Sequence, residues 1–454
     1  MIKSIHRVLA VAIMAALSSA SGAYAADLSR AVEHTLANGL DIVVIPDHRA
    51  PVVTHVIAYR SGAAADPAGK SGIAHFVEHL MYKSTATIPA GAFARSISML
   101  GGSENAVTSH DTTIYHQRVP KEGLTRVMEF EADRMVNLRF DDDEVRRERE
   151  VIIEERRQRI DLSPINLLNE QMTGALLAGH PYRNPVLGWP EEMSRLSRED
   201  AAAFYRHHYA PCNAVVVVQG DVEPDEVLAT ARRIYGSIGK SGATSMMPRS
   251  VPVSQTGKRI ERGDERVSST SLVRLAFAAE ATGSIHGRET LEVLMRILAQ
   301  GDTSRLDERL VRQAKLSLAV EGGASPTRQG MRLALFAIAA PGAALDAIEA
   351  AMDEEIATLA RNGISQDELD RARSVIAASD VYDSDKQLKS AMQVAEDLAS
   401  GRTLEHIRRR PQRLAAVTRD DIRVAARHLA PDRMLTGVLR PGIAASVAGK
   451  EAAR

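Results

Sequence analysis

Two stretches, HHYAPCNAVVVVQ at residues 207–219 and RHLAPDRMLTGVL at residues 427–439, follow the same pattern 220 residues apart. In each, a helical segment opened by an acidic residue, Asp200 or Asp420, ends near a histidine and an Ala-Pro pair, and an apolar strand pattern follows. An internal repeat at this distance predicts two related domains, of about 220 residues each, that arose by duplication.

The segment between the two repeats is the best linker candidate. Residues 241–258 are rich in Ser, Gly, Thr and Pro and contain few large apolar side chains. We therefore predict a first domain at residues 26–240, a linker at 241–258 and a homologous second domain at 259–454. Strand and helix patterns alternate with short connections in both, which indicates an α+β protein. The clearest patterns are a hairpin turning at Asn38-Gly39, strands over 52–59, 213–219 and 331–339, and helices over 71–82, 143–159 and 289–299.

Composition excludes several classes of function. The 454 residues are 44% hydrophobic and 25% charged, with a formal net charge of −1 and no basic block, so a nucleic-acid partner is not expected. The only cysteine, Cys212, cannot form an intramolecular disulfide, and it excludes a cysteine-rich metal cluster. A metal in this chain would have to be held by histidines and carboxylates.

The first 25 residues have the pattern of a secretory signal peptide. Lys3 and Arg7 precede the apolar run Val8–Leu17, and Ala23-Tyr24-Ala25 is a small-x-small cleavage signature. The alternative, a membrane anchor, needs about 20 apolar residues, roughly twice the length of this run. No later stretch is long and apolar enough to span a bilayer. We therefore predict cleavage near Ala25 and a periplasmic or secreted mature chain.

The pentapeptide His75-Phe76-Val77-Glu78-His79 carries the strongest chemical signal. On a helix, His75 and His79 lie one turn apart on the same face, and Glu78 lies close beside them. Two imidazoles can therefore bind one ion next to a carboxylate. This H-x-x-E-H order is the reverse of the common zinc-protease helix and forms a class of its own.

Zinc sites that perform catalysis have three protein ligands and an open position for water, so a third ligand is needed. A second charged helix, over residues 143–159, offers carboxylates for this purpose. Periodicity alone does not choose among them, because Glu148 and Glu155 share one face of the helix and Glu150 and Glu154 share another.

These motifs resemble the pitrilysin, or inverted-zincin, metallopeptidases. The resemblance rests on HFVEH at 75–79, REREVIIEE at 147–155, the Gly101-Gly102-x-x-Asn105-Ala106-x-Thr108 segment and the two-domain repeat, and it covers nearly the whole mature chain. The most similar branch contains short bacterial chains and mitochondrial processing peptidase subunits. The resemblance implies an α+β fold of two homologous domains, each an antiparallel sheet with helices packed on one face.

The resemblance also implies roles for individual residues. His75, His79 and Glu155 would hold one Zn²⁺ per chain, because the family's ligand Glu lies 76 residues beyond the second His. Glu78 would be the catalytic general base that activates a water molecule. Glu148 would support the site by orienting a ligand histidine.

Two further residues, Asn105 and Ala106, match the edge strand against which the family pairs an extended substrate backbone. An ordinary Asn in a turn before a strand is the alternative for Asn105. The implied activity is hydrolysis of unfolded peptides or small proteins in a closed chamber, which is the function we expect. A zinc-holding subunit that binds peptides or assembles with a partner but cleaves nothing is the alternative.

The second domain departs from the family pattern. Many members carry an Arg and a Tyr, seven residues apart, after a Ser-Arg-Leu segment, but here those positions are Val311 and Leu318. Loss of an oxyanion donor typically lowers the rate by about 10² to 10³. We therefore expect this chain to be the zinc-bearing subunit of a heterodimer whose zinc-free homologue supplies the missing groups. A homodimer that uses other residues is the alternative.

Overall fold

A computed structural model describes residues 28–239, 258–279 and 287–442. The strands are β1 (Val32–Thr35), β2 (Asp41–Pro46), β3 (Val52–Tyr59), β4 (Ser103–Thr108), β5 (Thr113–Pro120), β6 (Ala214–Gly220), β7 (Arg259–Asp264), β8 (Ser271–Ala279), β9 (Ser317–Thr327), β10 (Gly330–Ala339) and β11 (Leu435–Pro441). The helices of the first half are α1 (Ile73–Leu80), α2 (Ala92–Met99), α3 (Leu124–Val136), α4 (Asp142–Arg156), α5 (Pro164–Leu176), α6 (Pro190–Met193), α7 (Arg198–His208) and α8 (Pro224–Ile234). Those of the second half are α9 (Gly287–Ala299), α10 (Leu345–Asn362), α11 (Gln366–Ser384), α12 (Gln387–Ala399), α13 (Leu404–Arg408), α14 (Arg410–Ala416) and α15 (Arg419–Ala425).

The described strands form two sheets, one from each half of the chain. The first has six strands in the order β1-β2-β6-β3-β5-β4, and the second has five in the order β7-β11-β8-β10-β9. The predicted α+β fold with two similar domains is therefore confirmed. Pairing is antiparallel except at one place in each sheet, where β2 pairs with β6 and β7 pairs with β11 in parallel. In each parallel pair, an early strand of the domain (β2 or β7) lies beside the strand that follows the repeated Ala-Pro (β6 or β11).

The repeated helix-to-strand unit has the same local chemistry in both halves. Helix α7 begins after Ser197, whose hydroxyl accepts the backbone N–H of Asp200, and Asp200 bonds back to Ser197. Helix α15 begins in the same way at Thr418, with Asp421 as its partner. The acidic residue is therefore the fourth position of a capping box in each case, and the helix begins at the residue after Ser or Thr.

Strand β6 shows why the run NAVVVVQ is continuously apolar. All of its residues are buried, because Val216 and Val218 face the core of the first domain while Val215 and Val217 face α12 on the opposite side. A strand covered on both faces does not need alternating polar residues.

The two domains each cover the other's sheet with one helix. Helix α12, from the second half, packs on β3 and β6 of the first sheet. Helix α5, from the first half, packs on β8 and β11 of the second sheet. Each sheet thus has its own domain's helices on one face, as expected, and a helix of the other domain on the opposite face. The site described below lies on the helical side of the first sheet.

Two predicted segments fall outside the described residues. The signal peptide at 1–25 lies wholly outside them, as does nearly all of the linker at 241–258. Within the described ranges, no helix combines the length and the apolar composition that crossing a bilayer requires.

Candidate active site

Helix α1 is held at its first turn by Asp66. One carboxylate oxygen of Asp66 accepts the backbone N–H of Gly72 at 2.7 Å and the other accepts that of Ala74 at 3.1 Å. Gly72 has a φ of 85°, and a Cβ there would lie 2.6 Å from the carbonyl oxygen of Leu187. This close approach, together with the positive φ, requires glycine. The start of the helix that carries the histidines is therefore tightly defined.

His75, His79 and Glu155 come together as the motif spacing requires. The Nε2 atom of His75 lies 3.4 Å and that of His79 lies 3.1 Å from the same oxygen, Oε2 of Glu155. One candidate ligand atom from each residue lies within 4.8 Å of the other two. His75 is buried, and the other two are half-buried. This trio is the group of described residues that could hold a metal ion.

Glu148 forms a second layer behind His79. Its Oε1 lies 3.0 Å from Nδ1 of His79, and its Oε2 lies 2.5 Å from Nζ of Lys83. A carboxylate on Nδ1 leaves Nε2 of His79 directed toward Glu155 and holds the ring in one orientation. Lys83, just beyond the end of α1, neutralises the charge of Glu148; sequence reasoning gave it no role, because no helical spacing relates it to His79.

The two histidines differ in their electrostatic surroundings. Burial, and next to it the neighbouring His79, lower the pKa of His75 to about 3. Burial also acts to lower the pKa of His79, but its hydrogen bonds with Glu148 and Glu155 outweigh burial and raise the pKa to about 9. The carboxylates therefore draw positive charge to the point where the two Nε2 atoms meet.

Glu78 lies beside this trio and touches the sheet. Its Oε2 accepts a hydrogen bond of 2.5 Å from the hydroxyl of Thr108, the last residue of β4. Burial raises the pKa of the Glu78 carboxyl, and the hydrogen bond from Thr108 opposes that rise. Thr108 belongs to the segment that carries the family resemblance, but sequence reasoning assigned it no contact, because only the folded sheet brings it to α1.

The structure separates the four carboxylates that periodicity left open. Glu148 and Glu155 lie on the side of α4 that faces α1, whereas Glu150 and Glu154 are exposed. Glu154 accepts hydrogen bonds from Arg157 and Gln158 at the surface. Hydrogen bonding with His79 lowers the pKa of Glu155, which favours the ionised form that a metal ligand needs.

Asn105 and Ala106 lie on β4, which is the last strand in the described order of the first sheet and pairs there with β5. The side chain of Asn105 is exposed, and its Oδ1 accepts the backbone N–H of Ala106 at 2.9 Å. The strand ends at Thr108, against Glu78. A peptide paired to the free edge of β4 would therefore pass the carboxylate of Glu78.

The positions expected to carry Arg and Tyr have no polar function. Val311 packs against the second core, and Leu318 is an exposed side chain on β9. Two nearby arginines are already in ion pairs: Arg309 with Glu354 and Glu355, and Arg312 with Asp307. The described part of this chain therefore offers no replacement at those positions.

The donor set fits zinc. Two imidazole nitrogens and one carboxylate oxygen are a ligand set used by zinc in hydrolytic enzymes, with the fourth position left for water. Both Nε2 atoms converge on one oxygen, and the second nitrogen of His79 is already hydrogen-bonded to a carboxylate. This is the arrangement that zinc-binding histidines normally have.

Two family models match the chain over most of its length. The model described as insulinase, peptidase family M16, matches residues 41–189, and the model of the M16 inactive domain matches residues 195–376. The chain belongs to peptidase family M16. The predicted resemblance to the pitrilysin family is thus confirmed, and the first match contains the site just described.

Named relatives and solved structures agree with this assignment. The chain is 31% identical over 285 residues to the zinc protease PqqE of Helicobacter pylori, a match that covers 62% of this chain and 64% of the relative. A crystal structure of a protease from Helicobacter pylori aligns with a TM-score of 0.83 and 26% identity over 91% of this chain and 99% of that one. The periplasmic protease PqqL of Escherichia coli has the same fold over 95% of this M16 chain and 52% of its own length, with a TM-score of 0.74 and 20% identity.

Proposed function

We propose that this M16 chain is a zinc metalloendopeptidase that hydrolyses peptide bonds of unfolded peptides or small proteins. The observation that carries the proposal is the meeting of His75, His79 and Glu155 at one point, with Glu78 beside them and the edge strand next to Glu78. The Helicobacter pylori relative is a protein named as a zinc protease, which supports the same activity.

Each residue then has a defined task. His75 and His79, through Nε2, and Glu155, through Oε2, would hold one Zn²⁺. Zinc in such a site lowers the pKa of a water molecule and polarises the scissile carbonyl. Glu78 takes the proton of the attacking water and passes it to the leaving amine. Because Thr108 donates to Oε2 of Glu78, we assign that proton transfer to Oε1.

Substrate binding is proposed to use the backbone rather than side chains. A peptide that adds to the edge of β4, at Asn105 and Ala106, makes main-chain hydrogen bonds that do not depend on its sequence. Glu148 keeps the ring of His79 in place during the reaction but does not contact substrate.

The assembly and the location are also part of the proposal. Val311 and Leu318 leave this chain without the family's Arg and Tyr, so we propose that it pairs with a homologous zinc-free subunit that supplies them, the alternative being a homodimer. The fold of this chain covers 52% of the length of PqqL, which leaves room in that chain for a second unit of the same size. The pattern of residues 1–25 supports export to the periplasm or beyond.

The same missing residues favour one second candidate, a subunit that holds zinc and binds peptides without cleaving them. The test is hydrolysis of a quenched fluorescent peptide by the purified mature chain, with zinc measured on the same sample and Glu78→Gln as the matched inactive variant. A zinc-loaded chain that cleaves, with a Glu78→Gln variant that keeps zinc and does not cleave, supports the peptidase. A zinc-loaded chain that is inactive even with its homologous partner supports the second candidate.

A further inference from the structure

A cavity of about 730 Å³ lies between the two domains, directly beyond the catalytic end of β4. We call it the interdomain cavity. Its walls come from the β4–β5 turn, α5, the β8-β9-β10 part of the second sheet, and α12. The lining residues used below are Thr108, Phe277, Ser325, Arg332, Lys386 and Glu396. Thr108 lines the cavity and also donates its hydroxyl to Glu78. Thr108 is thus shared by the cavity and the Glu78 contact, while Ile114 and α12 place the cavity toward the opposite face of the first sheet. The cavity volume is that of a typical ligand pocket.

Arg332 lies at the start of a row of side chains on β10 that is otherwise apolar. Every second residue after it, namely Ala334, Phe336 and Ile338, packs in the core between the second sheet and α5. Arg332 continues this row by one position, between Phe277 on β8 and Ser325 on β9, and all three residues line the cavity. Because side chains alternate along a strand, the guanidinium faces the same side as the apolar row. A cation is placed where the pattern calls for an apolar residue.

No counter-charge accompanies this cation in the described part of the chain. Arg332 takes part in no hydrogen bond or ion pair there, although burial is strong enough to lower the pKa of its guanidinium. Arginine stays protonated even so. Arg332 is half-buried and lines the cavity, so its charge can be reached from the cavity by a ligand of opposite charge.

The other charged groups of the cavity are already satisfied or neutral. Lys386 and Lys389 both pair with Asp383. Asp111 accepts hydrogen bonds from the hydroxyl of Tyr182 and the backbone N–H of Arg328. Burial raises the pKa of Glu396, which favours its neutral form. Arg332 is therefore the charge in this cavity that is left for a ligand.

We propose that the interdomain cavity is a substrate subsite in which Arg332 binds a carboxylate of the peptide, either an acidic side chain close to the cleaved bond or the peptide's own C-terminal carboxylate. The assignment rests on the proposed peptidase function, because it takes the ligand to be the chain that passes Glu78. A planar guanidinium can hold a carboxylate through two parallel hydrogen bonds, which makes it selective for this group over a neutral amide. The subsite would give a preference for carboxylate groups to an enzyme that otherwise binds its substrate through main-chain hydrogen bonds.

The test measures peptide binding separately from cleavage. Fluorescein-labelled peptides are titrated by anisotropy into the zinc-loaded Glu78→Gln chain, with Arg332 intact or changed to Gln, and cleavage of the same peptides is followed in the chain with Glu78. The peptide set places one Glu, or Gln as its neutral counterpart, at successive positions, and ends in either a free acid or an amide. Lys386→Gln is the matched control, because it removes a cation at the same cavity that is exposed and already paired.

With Arg332 intact, we expect at least about tenfold tighter binding in one of two comparisons. Tighter binding of the Glu peptide than of its Gln counterpart at one position identifies an acidic side chain as the ligand. Tighter binding of the free acid than of the amide identifies the C-terminal carboxylate. Arg332→Gln should abolish that preference and leave affinity for the neutral peptide nearly unchanged, and Lys386→Gln should keep the preference. Equal affinity for acidic and neutral peptides at every position in the unaltered cavity overturns the proposal, even if Arg332→Gln fails to fold. Charge-dependent binding without any cleavage, even with the homologous partner present, would instead keep the subsite and overturn the peptidase function.

Discussion

His75 and His79 are one helical turn apart, yet their surroundings shift the pKa values of the two rings in opposite directions. His75 is buried with its Nδ1 atom unpartnered among the described residues, and its pKa is lowered to about 3, so it remains a neutral donor of an electron pair. Carboxylates contact both ring nitrogens of His79, with Glu155 at Nε2 and Glu148 at Nδ1. A divalent cation bound at this point would replace the direct contact between Nε2 of His79 and Glu155, would leave the contact of Nδ1 with Glu148 in place, and would release protons on binding.

Glu148→Gln tests the second layer at this scale. The amide can no longer act as an anion toward Nδ1 of His79 and Nζ of Lys83, so the ring becomes less basic and less well oriented. Loss of such a partner typically costs about 10-fold to 100-fold in metal affinity. Competition with a fluorescent zinc chelator measures this, with the exposed Glu150→Gln on the same helix as control. An unchanged affinity in Glu148→Gln would show that the second layer is not needed.

At the residue scale, some assignments could be made from the sequence and others could not. The i,i+4 spacing of His75 and His79 already places them on one face. The choice between Glu148 and Glu155 needed the family resemblance, since both share a face of α4 and only the packing of α4 on α1 shows which reaches Nε2. Arg332 was not found at all, because a single Arg in an apolar strand has no pattern that indicates an unpaired charge.

At the scale of elements, local chemistry accounts well for helices and strands. Strand β3 and the hairpin turn at Gly39 fall where the pattern predicts them, and Gly39 has a φ of 90°. The predicted helix over 143–159 ends earlier, at Arg156, and continues as a single wider turn. Glu155, the proposed metal ligand, lies in the last turn of α4, next to the point where the α-helix passes into the wider turn.

Helix α7 of the repeat contains a group that makes stability depend on pH. His208 is 8% exposed, and burial, with the neighbouring His207, lowers its pKa to about 4. The unfolded chain binds the proton near pH 6.5 and the folded chain does not, so the contribution of His208 is complete above pH 6.5 and is lost as the pH falls toward 4. The loss is at most about 3 kcal/mol.

Between pH 7 and pH 5, the free energy of unfolding of His208→Gln should therefore fall less than that of the wild type. The urea midpoint of unfolding at each pH measures this difference. His207→Gln, on the exposed side of α7, is the control and should retain most of the wild-type pH dependence. Identical pH dependence in His208→Gln and the wild type would show that His208 is not the titrating group.

At the scale of the whole molecule, the exchange of α5 and α12 links the two domains. Periodicity shows that each helix has an apolar face, but it does not show which sheet that face meets, so this exchange could not be predicted from the sequence. Met172 of α5 is fully buried against the second sheet, where a Cβ added at Gly437 would lie 2.1 Å from its sulfur. The domain that holds His75, His79 and Glu155 and the domain that holds Arg332 are thus packed through each other's helices.

Met172→Ala should lower the free energy of unfolding by about 2–5 kcal/mol, because it leaves a cavity between α5 and β11. Since α5 belongs to the first half and its contacts to the second, we expect one transition to shift as a whole, observed by calorimetry and by tyrosine fluorescence. Leu162→Ala, at a side chain that is 52% exposed, should change stability by less than about 0.5 kcal/mol. Two separate transitions, of which only one moves, would contradict the linkage.

If His75, His79 and Glu155 form a zinc site, the amount of zinc bound per chain depends on Glu155. The measurement is elemental analysis of the purified mature chain, of Glu155→Gln and of Glu154→Gln, after dialysis at one free zinc concentration. We predict one zinc per chain in the wild type and in Glu154→Gln, whose carboxylate pairs with Arg157 at the surface, and little or none in Glu155→Gln. A wild-type chain without zinc, or a Glu155→Gln variant that holds zinc as tightly as the wild type, would contradict the account.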